Sequence, residues 1–224
     1  MKIQLALDRL SMEEAIQIAS RTEKYIDIIE VGTSLIKEFG VASISKFKEA
    51  FPDKTILADM KTIDNALYEF TLSFNAGADI ATVMGVSPMP TIEVCMEAAA
   101  KHGKKTMIDI LNTTAQQRAS IFAFTDAIFC DHISKDLQER SGLKSTNSYC
   151  FDPALQWAVA GGITGDSIRN MAEPLPDIVI VGSAITKAIH PEKAAEAFRR
   201  IIGRKKGKYN ESIGNDSIRN IYCY

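Results

Sequence analysis

Paired cysteines, a charge excess and long apolar runs are all missing from this chain. Its formal net charge is -2 over 224 residues, so the molecule as a whole offers no electrostatic basis for gripping nucleic acid. Cys95, Cys130, Cys150 and Cys223 form no CxxC pair and show no metal-ligand spacing. They read as reduced thiols, not as a disulfide framework or a zinc site. No segment is long and apolar enough to cross a bilayer. The opening MKIQLALD lacks the apolar stretch and cleavage site of a secretory leader. The expectation is a cytoplasmic protein with neither nucleic acid nor membrane as partner. With 46% hydrophobic and 24% charged residues, the chain has an ordinary globular composition and the length to bury a sizeable core.

What is present is a repeating pattern. Short β-branched apolar runs, each ending in a polar residue or glycine, alternate with helix-like segments. The runs are Ile3–Asp8, Asp27–Gly32, Thr55–Lys61, Ile80–Gly85, Thr106–Leu111, Ala127–His132, Gln156–Gly162 and Ile178–Ser183. Continuous apolar runs point to strands buried on both faces, as in a parallel sheet. Between them, Met12, Ala15, Ile16 and Ala19 fall on one helical stripe, with Ser11 as N-cap before Glu13 and Glu14. Thr91–Lys101 and Pro191–Ile202 read the same way. Strand–helix alternation repeated eight times predicts an α/β fold, a closed (β/α)8 barrel over residues 1–203; an open doubly wound sheet is the alternative. The helix after the fifth strand is short, and the sixth is cut to a turn or two at Ser134–Arg140 before the polar stretch LKSTNSYC. Residues 204–224 carry the charge run RKKGK and no clear period, and are expected to be a disordered or loosely docked tail.

Catalytic groups of such barrels gather at the C-terminal ends of the strands. There the sequence puts Asp8, Glu30, Thr33, Asp59, Lys61, Asp109 and His132, with Asp64, Lys135 and Asp136 just beyond. Unpaired buried charge is costly, so these groups must pair, hold a metal or meet solvent in a mouth. Asp8 alone reads equally well as a helix cap. Asp59 and Lys61 are two apart on a strand and should share a face; a cluster with Asp64 can hold a lysine charged and ligate a divalent cation. A surface salt-bridge ladder fits less well beside a buried LAD run. The seventh and eighth strands end instead in glycine, at Gly161, Gly162 and Gly182 followed by Ser183. Such backbones serve tight turns or approach a phosphate closely.

The motifs LALD (Leu5–Asp8), EVGT (Glu30–Thr33), LADMKTID (Leu57–Asp64), AGAD (Ala76–Asp79), TVMG (Thr82–Gly85), the His132–Asp136 segment, AGGI and VIVGSAI follow one another in order. Over Met1–Gly203 the chain resembles the orotidine 5'-monophosphate decarboxylase suprafamily. Within it, it is similar to the branch of 3-hexulose-6-phosphate synthases and 3-keto-L-gulonate-6-phosphate decarboxylases. The resemblance implies Mg2+ held by Glu30 and Asp59, with Lys61 stabilising an enediolate oxygen. It implies His132 as the acid/base and Asp8, Thr33 and Asp109 as substrate contacts. Gly161, Gly162, Gly182 and Ser183 would clamp a sugar phosphate, and Asp64 would reach the neighbouring subunit's site in a homodimer.

TVMG and IDILN (Ile108–Asn112) resemble the synthases. HISKD (His132–Asp136) points to the decarboxylases, with Lys135 standing where they carry arginine. After the lysine motif, DNA (Asp64–Ala66) departs from the DAG or DGG of both. The synthase is the leading expectation and the decarboxylase the alternative. A sugar-phosphate-binding barrel without turnover is the third. His102 reads as a cation at a helix end, where it suits the dipole, His190 as a surface residue, and Trp157 and Cys130 as packing.

Overall fold

The computed structural model describes residues 1–141 and 152–213. Eight strands, β1 (Lys2–Leu7), β2 (Ile28–Val31), β3 (Thr55–Thr62), β4 (Ile80–Met84), β5 (Lys105–Asp109), β6 (Ile128–His132), β7 (Gln156–Ala160) and β8 (Ile178–Val181), pair in parallel and in sequence order into a closed barrel. Each overlaps one of the expected apolar runs to within a residue or two at its ends, and the open-sheet alternative is excluded because β1 pairs with β8.

Helices cover the outside. They are α1 (Met12–Thr22), α2 (Thr33–Phe39), α3 (Ala42–Ala50), α4 (Ala66–Asn75), α5 (Met89–His102), α6 (Ala115–Ile121), α7 (Lys135–Ser141), α8 (Gly165–Asn170), α9 (Ser183–Thr186) and α10 (Pro191–Ile213). Ser11 caps α1 as expected, in a capping box with Glu14. Both α6 and α7 are short, and LKSTNSYC falls outside the described residues. Helix α10 carries through the expected boundary at Gly203 to Ile213; its Arg, Lys and Glu residues are good helix formers.

Strand alternation divides the core in two. Outward side chains such as Ile3, Leu5, Ile29 and Phe129 pack under the helices. Inward ones such as Ile28, Leu57, Met107 and Ile178 fill the barrel. Trp157 and Cys130 are buried, as expected. The bottom of the barrel repeats one device. Asp27, Asp79 and Asp177 each precede a strand, donate their N–H to the carbonyl of Ile3, Ile56 and Trp157 at 2.9, 2.7 and 2.9 Å, and accept that same residue's N–H on Oδ2 at 2.7, 3.0 and 2.9 Å. Each aspartate thus satisfies the strand-end amide that the ladder leaves over. Glu30, Asp59, Lys61, Asp109 and His132 sit at the opposite end.

Candidate active site

At the C-terminal ends of β2 to β6, inward side chains form one connected polar layer. Asp59 is buried and accepts from Thr33 Oγ1 at 2.7 Å, Thr82 Oγ1 at 3.0 Å and Lys61 Nζ at 3.2 Å. The same ammonium lies 3.2 Å from Asp109 Oδ2. Asp109 in turn lies 2.9 Å from His132 Nδ1 and accepts the Leu111 N–H at 3.0 Å. A carboxylate only accepts, so Nδ1 carries the proton in this contact, and Nε2 is left for chemistry.

Lys61 and Asp59 do meet, but not through simple alternation. The register with β4 passes from Ala58–Ala81 to Thr62–Val83, so β3 bulges here. Lys61 takes a positive φ of 50°, a conformation that costs a non-glycine residue energy and recurs at functional sites. Its N–H is held by Thr82 Oγ1 at 2.8 Å. The bulge turns the lysine across the barrel, between two carboxylates.

Charge follows geometry. Burial works against the Lys61 charge, but Asp59, Asp109 and Glu30 outweigh it and hold the ammonium above its ordinary range. Burial also works against ionised Asp109, yet His132, Lys61 and the Leu111 N–H keep its carboxyl below the usual range. Glu30 differs. Burial, reinforced by the nearby Asp59 charge, pushes it up to about 8, although Gln4 donates to it and Lys61 opposes the shift.

No cluster of three or more His, Cys, Asp or Glu side chains fit to hold a metal occurs among the described residues. Two buried carboxylates that repel each other do occur, Glu30 and Asp59. That donor set fits a hard divalent cation, which takes a few carboxylates and completes its shell with water and substrate oxygens.

The remaining expected residues fall into three groups. Asp8 accepts the Ser34 N–H at 3.0 Å and its hydroxyl at 2.7 Å, so it caps the first turn of α2, the helix after the next strand. The Thr33 hydroxyl is engaged by Asp59 through both its backbone and side-chain oxygens. Asp64 and Lys135 are exposed and stand outside the polar layer; the Asp64 carboxylate accepts the Asn65 N–H at 2.8 Å. Gly161 and Gly162 take positive φ, and a side chain on Gly161 would strike Ile133 O at 2.6 Å. A Cβ on Gly182 would make ordinary van der Waals contact with Ala6 O at 3.6 Å; Ser183 starts α9 there. Two residues were overlooked in the sequence, Gln4 and Thr82. Both are polar, buried and of the same strand parity as the site, which is the signal that could have found them.

The fold and this layer define a (β/α)8 barrel with a carboxylate–lysine–carboxylate–histidine chain across its mouth. A model of the Orotidine 5'-phosphate decarboxylase / HUMPS family matches residues 1–198, and the chain belongs to that family. It is 35% identical over 212 residues to a 3-hexulose-6-phosphate synthase of Bacillus subtilis, covering 90% of this chain and 99% of the relative. A solved 3-hexulose-6-phosphate synthase from Salmonella typhimurium superposes with a TM-score of 0.83 at 34% identity, over 91% of this chain and 99% of that one. A 3-keto-L-gulonate-6-phosphate decarboxylase from Vibrio cholerae superposes with a TM-score of 0.78 at 26% identity, over 91% and 97%.

Proposed function

We propose that the chain is a Mg2+-dependent lyase of the 3-hexulose-6-phosphate synthase type, joining formaldehyde to ribulose 5-phosphate through an enediolate. The observation that carries this reading is the unbroken chain Asp59–Lys61–Asp109–His132, on a barrel whose curated relatives at 35% identity bear that name. Glu30 and Asp59 would hold the ion, and when bound it supplies positive charge that favours ionised substrate oxygens. Gly161, Gly162, Gly182 and Ser183 would bind the phosphate through backbone N–H groups, with the other end of the sugar at the polar layer. Asp8 and Thr33 line the approach.

His132 Nε2 takes the proton from the hydroxymethyl carbon next to the carbonyl, and Asp109 keeps the ring in the right tautomer and orientation. Lys61, held charged and fixed by two carboxylates, stabilises the negative oxygen that develops, at no reorganisation cost. The carbon so activated attacks formaldehyde, a carbon–carbon bond forms, and the formaldehyde oxygen gains a proton.

The decarboxylase reading keeps one specific support, Lys135 in HISKD at the start of α7. It preserves the charge of the decarboxylases' arginine but not its planar fork.

A second copy of the chain completes the site. Beside Asp64, Ile63, Leu67 and Tyr68 stand 52%, 58% and 63% exposed, an apolar patch suited to covering by a partner. A homodimer would bring Asp64 to the neighbouring mouth.

The test is a parallel assay with Mg2+. One arm follows formaldehyde loss with ribulose 5-phosphate, the other CO2 release from 3-keto-L-gulonate 6-phosphate. Metal-dependent formaldehyde consumption is the expected result. Faster CO2 release moves the assignment to the decarboxylase. Silence in both arms, with ribulose 5-phosphate still raising Tm, leaves a binding barrel.

A further inference from the structure

Gln4 is the buried polar side chain of β1, and it points into the barrel. Its register partners are Ile28 on β2 and Ile180 on β8, both apolar and both part of the barrel filling. It is 0% exposed. Packing alone would be served better by leucine or methionine, which bring no polar atoms into an apolar interior.

The amide makes one contact. Nε2 donates to Glu30 Oε2 at 2.6 Å. Its other end is unmatched: Gln4 Oε1 is the buried side-chain polar atom without a hydrogen-bond partner among the described residues. A buried acceptor left bare costs folding free energy. The geometry that permits the reach is specific. Ala6 stands opposite Glu30 in the β1–β2 register, and its methyl leaves room for Gln4 to extend past it from one layer below.

We infer that Gln4 is a positioning residue for Glu30, retained to set the rotation of a carboxylate that ligates the divalent cation. The terminal torsion of a glutamate is broad and nearly two-fold, so an unrestrained carboxylate turns freely. One donor on Oε2 stops that rotation. Oε1 then has no hydrogen bond among the described residues and is the oxygen free for the ion. Groups that orient ligating side chains in this way commonly matter for affinity almost as much as the ligands. The unmatched Oε1 is the stability given up for that control.

The inference rests on the proposed role of Glu30 and Asp59, and the experiment separates the two. Mn2+ binding to the substrate-free protein is titrated by EPR, with thermal unfolding followed alongside. Gln4→Met keeps the volume and removes the donor; Gln4→Asn keeps the amide and withdraws it by one methylene. The expected result is binding weakened about 10- to 100-fold in both, with cooperative unfolding kept. Wild-type affinity in variants that unfold cooperatively overturns the assignment, because a purely packing role moves Tm and not Mn2+ affinity. Failure of both variants to fold overturns it as well, since Gln4 is then a packing residue. If the wild type itself binds no Mn2+, or Glu30→Gln binds it as tightly as the wild type, the metal site falls and takes the inference with it.

Discussion

His132 and Asp109 meet at 2.9 Å across neighbouring strands, and the same aspartate oxygen lies 3.2 Å from Lys61 Nζ. In the proposed mechanism one carboxylate thus orients the imidazole that moves the proton and helps hold the ammonium that stabilises the developing oxyanion. Asp109→Asn should separate these duties from folding. An amide gives Lys61 no countercharge and can present its NH2 to His132, favouring the wrong tautomer. The fall in kcat should be on the order of 10²–10³, with KM changed much less. Steady-state kinetics at saturating Mg2+ checks this.

His132→Gln removes the base and leaves the rest of the layer. In D2O, NMR of ribulose 5-phosphate with the wild-type protein should show exchange at the hydroxymethyl carbon without formaldehyde. In the variant, exchange should slow by about 10²- to 10⁴-fold. Unchanged exchange would move the base elsewhere.

Thr82 connects the bulge to Asp59. Its hydroxyl donates to Asp59 at 3.0 Å and accepts the Lys61 N–H at 2.8 Å. Thr82→Val strips both, and leaving such groups unmatched costs about 1–3 kcal/mol. Denaturant unfolding should show that loss, and Thr82→Ser should recover most of it.

The apolar patch at the start of α4 predicts an oligomer. Leu67 is 58% exposed, so Leu67→Glu should not disturb the barrel. Sedimentation should find a dimer for the wild type and a monomer for the variant, with activity falling along with the dimer. A monomeric wild type removes the shared-site part of the function.

At the far end of the barrel, Asp79 binds Lys104 at 2.6 Å, Lys48 at 3.0 Å and the Ile56 N–H at 3.0 Å. Burial pushes its carboxyl up, but these partners win and hold it below the usual range. The folded value lies below the unfolded one, so the stabilisation is full above about 3.9 and is lost as pH falls through the folded value. Asp79→Asn should cost about 1–3 kcal/mol at neutral pH. The gap between the two unfolding curves should narrow below about pH 4.

Much of this was legible in the chain. Eight apolar runs became eight strands, because a strand buried on both faces needs apolar residues at every position and turns need polar ones. Glu30, Asp59, Asp109 and His132 were legible as a site because ionisable groups are expensive inside such runs unless the fold gives them partners. Their ladder of contacts was not. Asp8 read equally as cap or site, and the cap it makes is on Ser34, a residue on another strand–helix unit that no local pattern pairs with it.

The sequence alone determined the strands, their order and the identity of the groups at their ends, since hydrophobic periodicity is a local property of the chain. Tertiary structure decided which of those groups touch. Pairing of β1 with β2 set Ala6 beside Glu30 and let Gln4 reach it. A bulge opposite β4, held by Thr82, aimed Lys61 between two aspartates. Register, stagger and bulges arise between strands distant in sequence, so no local pattern in the chain encodes them.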